Sequence, residues 1–547
     1  MNASSARVLA VGIASIGLAA AGCQPREPEA GTAAPAAELA AVPLYDNLGA
    51  YQRPISAANA EAQQYFDQGM RLTYAFNHAE AVRAFEEATR RDPGCAMCYW
   101  GIANALGPNI NAPMDASAVE PAFGAVQQAV SLAPRASEVE RALIEAAAKR
   151  YVESPPEDRS SLDKAYAAAM ADVRARFPED ADVLTLHAEA VMNLSPWDYW
   201  TRQGEPRPGT AELVADLERV LAKDPDHPGA CHYYIHAVEA VQPKKAVACA
   251  ERLASLMPGA GHLVHMPAHI YIRVGRWADA ITANEHAVHT DESYIRDQRP
   301  TGVYPLAYYP HNYHFLSFAA TMAGRSGQAI QAARSLASQI DMDVARAVPM
   351  VEAMVPFVHL TLLTFGRFDE VVSEPLPPSD LRMAFGLAQY ARGTALAATA
   401  QAAQAKVALD TVSAIASGMS DPLSKTILEI AQHALAGEIA QRGGDLKGAE
   451  SHYRQAMARE DELLYMEPPH WYYPIRHSLG AVLLTQGRGA EAEQVFLRDL
   501  ERFPENTWSL HGLQASLRAQ GRTADADAIN ARIAKLGGDV QLTTSRL

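Results

Sequence analysis

The sequence predicts an all-α solenoid, a row of stacked helical hairpins interrupted by irregular inserted loops. Three observations point there. Small and large apolar residues recur with a period near 34 residues. Alanine is abundant while aromatic residues make up only 7% of the chain, a balance that suits closely packed helices better than sheets. At 547 residues, 49% hydrophobic and 20% charged, the chain is long enough for several packed units.

The N-terminus carries the pattern of an export signal. Arg7 precedes an apolar run from Val8 to Ala21, too short for an ordinary transmembrane helix. Ala20, Ala21 and Gly22 stand directly before Cys23 and resemble a bacterial lipobox. The resemblance implies cleavage before Cys23, lipid attachment to that residue, and, with Gln24 following, placement at the outer membrane facing the periplasm. Residues 1–22 are therefore assigned to a lipoprotein signal peptide and 23–55 to a lipid-anchored tether rich in Pro and Ala. Beyond this start no stretch is apolar and long enough to cross a bilayer. The formal net charge of -16 argues against nucleic acid as a partner, since phosphate binding needs clustered Lys and Arg.

The remaining cysteines, Cys95, Cys98, Cys231 and Cys249, are even in number, as expected of two disulfides in an exported chain. Cys95 and Cys98 form a CxxC pair followed by Tyr99, where a c-type haem motif needs His. A structural bridge is the favoured reading over a redox motif or half a zinc site.

From Ala62 the repeat is explicit. Counting Ala62 as the first of 34 positions, Tyr65 falls at 4, Gly69 at 8, Leu72 at 11, Ala81 at 20, Phe85 at 24, Ala88 at 27 and Pro93 at 32. Small residues at 8 and 20 let the two helices of a hairpin touch, larger ones at 4 and 24 fill the gap, and Pro at 32 ends the second helix. This pattern resembles the tetratricopeptide repeat, and the whole chain resembles bacterial tetratricopeptide lipoproteins. The resemblance implies a right-handed superhelix and a concave wall built from the first helix of each hairpin, where a protein, peptide or small-molecule ligand would bind.

The frame recurs from Ala96 to Leu106, then departs into a loop at 107–115, with helices expected at 119–133, 138–152 and 160–177. It returns near Asp182 and in the unit beginning at His227, where Cys231 and Cys249 take positions 5 and 23. Antiparallel helices bring those positions together, so these two cysteines are expected to pair. Later copies run through Val264–Ala280, Gly324–Ala329 and 380–410. The copies at Gly437–Ala456 and Gly480–Pro504 are clearer. Residues 56–377 are assigned to an N-terminal solenoid and 378–547 to a C-terminal one.

The chemistry-bearing residues concentrate in one window. Nine of the 18 histidines lie between residues 232 and 314. In the repeat frame His232, His236, His262, His265, His269, His311 and His314 all sit on first helices of three consecutive hairpins, aimed at one strip. His286 and His289 fall on a second helix and are expected to face outward. Neutral imidazoles suit zinc, copper or iron, with Glu239 as a further ligand or base. That metal site, alone or as the centre of a metal-dependent enzyme, is the alternative reading. The first reading is a membrane-anchored binding or scaffold protein whose polar groove, with His and Tyr side chains hydrogen-bonding one another, holds a protein, peptide or small ligand. Trp197, Asp198, Glu239, Arg273, Tyr308 and Tyr309 are the candidate ligand contacts for that groove. The run 295–310 breaks the repeat rhythm and is expected to line or lid the strip. The segment 465–474 is expected to be a packed lead-in to a helix rather than a ligand contact. Pro267 should kink or interrupt its helix. No compact catalytic motif of the HExxH, GxSxG or phosphate-loop kind is present, so no catalytic residue is assigned.

Overall fold

A computed structural model describes residues 42–540. The signal segment and Cys23 lie outside the described residues. The described residues are all-α, built as successive helical hairpins, and no helix among them is long and apolar enough to cross a membrane.

It divides into two compact units. Among the described residues the first comprises 42–201 together with Pro206–Ala230, and the second Arg202–Glu205 together with 231–540. The first unit contains α1 (Ala60–Tyr74), α2 (His78–Arg91), α3 (Ala96–Leu106), α4 (Val119–Leu132), α5 (Glu138–Ala147), α6 (Ser160–Arg176), α7 (Ala181–Met192) and α8 (Thr210–Lys223). Helix α9 (Pro228–Val238) supplies its His-bearing part to the second unit. That unit continues through α10 (Val247–Leu256), α11 (Gly261–His265), α12 (Pro267–Arg273), α13 (Trp277–Gln298), α14 (Tyr309–Met322) and α15 (Ser326–Gln339), and on through further hairpins to Leu536.

The hairpin interfaces follow the repeat rule residue by residue. The buried Phe85 ring of α2 wedges against Gly69 of α1 and Gly101 of α3, so close that a Cβ on Gly101 would lie 2.5 Å from the ring. Phe496 does the same between Gly480 and Gly512 near the C-terminus. Glycine costs helix stability intrinsically, and here the lost Cβ is what admits the aromatic wedge.

Both expected disulfides are formed. Cys95 and Cys98 have Cα atoms 5.4 Å apart at the start of α3, and Cys231 and Cys249 have Cα atoms 5.1 Å apart between α9 and α10.

Three local expectations need correction. Residues 42–55, assigned to the tether, pack against the first unit from Val42 onward. The Tyr65 hydroxyl donates to the Val42 carbonyl (3.0 Å), the Tyr45 N–H to Gln68 Oε1 (2.8 Å), and Arg53 pairs with Asp180 and Asp182 (3.0 and 2.8 Å). The helix expected at 138–152 ends at Ala147, because Arg150 and Tyr151 turn inward to donate to the Pro108 and Ala103 carbonyls. The run 295–310 is largely helical: α13 extends to Gln298, Arg299 takes a left-handed conformation (φ 49°), and a π-helical turn at Tyr304–Tyr308 leads into α14.

The strap at 51–53 ends on a buried carboxylate. Asp182 accepts from Arg53, from the Tyr51 and Tyr74 hydroxyls and from His227 Nε2. Burial opposes its charge, but Arg53 and His227 outweigh that and hold it well below the usual carboxylate range. A depressed pKa contributes stability above the unfolded value, about 4, that is lost as pH falls below it. Asp182→Asn should therefore lower the melting temperature clearly at pH 7, and the gap from wild type should narrow progressively below about pH 4. A gap that is constant with pH would refute this role.

Candidate functional site

In the second unit α9, α11, α12 and α14 lie side by side and carry the histidines. Disulfide bonding to Cys249 pins α9 at Cys231, immediately before His232. Pro267 splits what the repeat frame would make one helix. Met266 lies between α11 and α12, and Pro267, lacking an N–H, starts the second piece without a lost donor. His262 and His265 thus sit on α11 and His269 on α12.

The rings converge. His236 Nε2 and His262 Nε2 lie 3.1 and 3.2 Å from His232 Nε2. His265 Nε2 lies 2.9 Å from His269 Nε2, and the His311 ring is 5.0 Å from that of His265, centroid to centroid. His232 and His265 are fully buried, and His236, His262 and His269 are 3% exposed, so these five form an enclosed cluster rather than an open strip. His311 is half-buried and forms its least enclosed edge.

Glu239, fully buried, sits beneath the cluster. Its Oε1 accepts from His236 Nδ1 (3.1 Å) and its Oε2 from His269 Nδ1 (2.6 Å). Burial pushes its pKa up, and His269 and His236 more than reverse this, bringing it to about 2. An ionised carboxylate only accepts, so both imidazoles donate from Nδ1 and turn Nε2 lone pairs inward. His265 is fixed the same way. Asn284 Nδ2 donates to the Ala280 carbonyl (2.7 Å), which leaves Oδ1 to accept from His265 Nδ1 (2.7 Å). Reversing the amide would set two oxygens against each other. Burial, then the neighbouring His269, holds His265 well below the ordinary imidazole value.

A second layer holds the helices in register. Asp291 of α13, 1% exposed, accepts from the Tyr304 hydroxyl (2.8 Å) and from Asn312 Nδ2 (2.7 Å), while Tyr304 Oη accepts from the His262 N–H (3.2 Å). One carboxyl thereby ties the π-turn, the His311-bearing helix and the start of α11 together. Burial raises its pKa to about 7 against the opposing hydrogen bonds of Tyr304 and Asn312. Gly261 lies so close that any Cβ there would strike the Asp291 carboxyl.

The Tyr308 ring packs on His262 at 4.8 Å, while the Tyr309 hydroxyl reaches Glu292 (3.4 Å) on α13. Arg273 lies against the Glu239 and Ala240 carbonyls, across the Tyr465 ring (5.4 Å) and 3.8 Å from Glu467. His314 stands apart, edge-on to Phe357 at 4.3 Å. Trp197 and Asp198 belong to the first unit, where Asp198 pairs with Arg207 (2.7 Å). His286 and His289 are exposed on α13.

Asn284, Asp291 and Glu467 escaped the sequence reading. Asn284 had a signal: it occupies repeat position 24, where Phe85, Tyr453 and Phe496 stand in other hairpins, and a polar residue there needs a buried partner. Glu467, 6% exposed in the segment 465–474, had none. Its pKa is pushed up to about 7 by burial, with Arg273 opposing.

No protein-family model matches the chain, and no curated protein matches it. Among solved structures it is similar to the human IFIT1 dimer with m7Gppp-AAAA, at 13% identity over 88% of this chain and 91% of that one, TM-score 0.33. It is also similar to the APC/C hetero-tetramer Cut9-Hcn1, at 12% identity over 89% and 96%, TM-score 0.27.

Because a methyl at residue 261 would displace Asp291 from Tyr304 and Asn312, Gly261→Ala is expected to destabilise the protein by about 1–3 kcal/mol. In an unobstructed helix the same change is mildly stabilising. Thermal unfolding reads the sign directly.

Proposed function

We propose that this chain is a transition-metal protein that binds zinc, copper or iron through the buried histidines of its second unit. The observation that carries the reading is the His265–His269 contact. Asn284 and Glu239 oblige both rings to donate from Nδ1, so two Nε2 lone pairs face each other at 2.9 Å. That arrangement is repulsive unless a cation lies between or beside them. A metal ion satisfies it. With metal–nitrogen bonds of about 2.0–2.1 Å, neighbouring ligand nitrogens stand about 2.9 Å apart at right angles and about 3.4 Å apart in a tetrahedron. The Nε2 separations of 2.9, 3.1 and 3.2 Å fall in that range. The donor set of neutral imidazoles with a carboxylate behind them suits zinc, copper or iron.

We place the protein in the cell envelope, lipid-anchored through Cys23. The lipobox-like run before Cys23 supports this, as do two disulfides of a kind that persist in oxidising compartments. Binding of a protein, peptide or small molecule on the repeats, the usual work of such solenoids, has no comparable single observation behind it.

Metal analysis of untagged protein decides the matter. At least one equivalent of zinc, copper or iron is expected, falling by at least one equivalent in His265→Ala/His269→Ala. Less than about 0.2 equivalents, with no uptake on adding zinc or copper, would overturn the reading. Unchanged metal content in the double variant would overturn this site.

A further inference from the structure

We infer that the cluster holds two metal ions, each on three imidazoles, and that Glu239 couples them. The inference rests on the metal reading above and extends it to nuclearity.

The six histidines fall into two all-histidine sets that share no member, and a third group, His236, Glu239 and His269, bridges them. Candidate ligand atoms of His232, His236 and His262 lie within 4.8 Å of one another, and so do those of His265, His269 and His311. The two sets have the same construction. Each has an i, i+4 pair in the first arm of one hairpin, on the single helix α9 in the first set and across the α11–α12 break at Pro267 in the second. Each is completed by one histidine from the next hairpin, His262 in the first set and His311 in the second, and both of these occupy repeat position 2. The two sets therefore share a plan on successive hairpins, although the pair stands at repeat positions 6 and 10 in the first and one position earlier, at 5 and 9, in the second.

The series stops there for a visible reason. A third copy would start from His314 with a histidine four residues later, but that position is Phe318, and His314 packs against Phe357. Phe315 closes the second set on the same side, 4.7 Å from His265 and 4.6 Å from His269 between ring centroids.

Glu239 belongs to both sets. One carboxylate oxygen orients His236 of the first and the other orients His269 of the second. An outer partner of this kind fixes the ring tautomer and raises ligand basicity. A metal at either set locks Glu239 in the position the other set needs. Its single negative charge also stands behind both cations. Three nitrogen ligands leave at least one coordination position on each ion for water or a small exogenous anion.

The test is a titration of chelator-stripped, untagged full chain with zinc, read by metal analysis and calorimetry, with circular dichroism confirming that each variant is folded. Wild type should take up two equivalents, and His262→Ala and His311→Ala about one each. Glu239→Ala should weaken both sites by about 10–100-fold while leaving the stoichiometry attainable at high zinc. One equivalent in wild type, abolished by either single histidine variant, would overturn the two-ion inference and leave the metal reading standing. No zinc at all would overturn both. Wild-type affinity at one of the two sites in Glu239→Ala would overturn the coupling.

Discussion

A carboxylate with no access to water organises the second unit. Glu239 remains ionised only because two imidazole N–H groups reach it from different helices, and an unpaired charge at such depth costs several kcal/mol. That requirement fixes more than the carboxylate. It sets the tautomers of His236 and His269, brings α9 and α12 to a common point, and puts a premium on every contact that keeps those helices in place. The Cys231–Cys249 bond before His232, Arg273 against the Glu239 and Ala240 carbonyls, and the Asp291–Tyr304–Asn312 clasp under α11 all serve that end.

The repeat supplies the register that makes such a convergence possible. Stacked hairpins present equivalent positions on successive first helices, so a side chain type repeated at one position becomes a spatial cluster without any single hairpin being unusual. What distinguishes this stretch is how far it departs from the repeat's own packing rule. Position 24, an aromatic wedge at Phe85, Tyr453 and Phe496, becomes Asn284, and the space a ring would occupy is given to a hydrogen bond with His265. Pro267 then divides the helix between His265 and His269, whose rings meet edge-to-face at 4.8 Å. Local rules of the fold are broken here in favour of polar convergence, which is where function is expected to show itself.

Much of this was legible in the sequence, and the rest was not for identifiable reasons. The 34-residue spacing of Gly69, Phe85 and their equivalents predicts the hairpins and the pairing of Cys231 with Cys249. The same frame gathers six of the seven predicted histidines. It misjudged their exposure, because the frame describes hairpins and their stacking but not the segments that close over them. Arg273 stacks on Tyr465 and approaches Glu467, nearly two hundred residues away in a stretch with no repeat signature. The packing of residues 42–55 was hidden for a similar reason. Pro and Ala richness reads as a tether, and only the partners of Arg53, two carboxylates more than 120 residues later, show it to be a strap. The ring tautomers leave no trace in the sequence, since they depend on which nitrogen faces which oxygen in space.

The energetic balance of the cluster also bears on why it is enclosed. Burying imidazoles exchanges water hydrogen bonds for contacts between like groups, and His265 and His269, whose Nε2 lone pairs face one another, gain little from that contact. A solenoid hairpin could fill the same space with the Phe and Leu residues it uses elsewhere, at lower cost. Retaining six histidines there makes sense if the missing stabilisation is supplied from outside by a ligand whose binding energy then becomes folding energy. Enclosure strengthens the interaction, because a cation meeting fixed nitrogen dipoles among buried side chains competes with less water than it would on an open groove wall. A bound cation would account both for the histidines and for their burial, whereas a solvent-exposed ligand groove would account for the histidines alone.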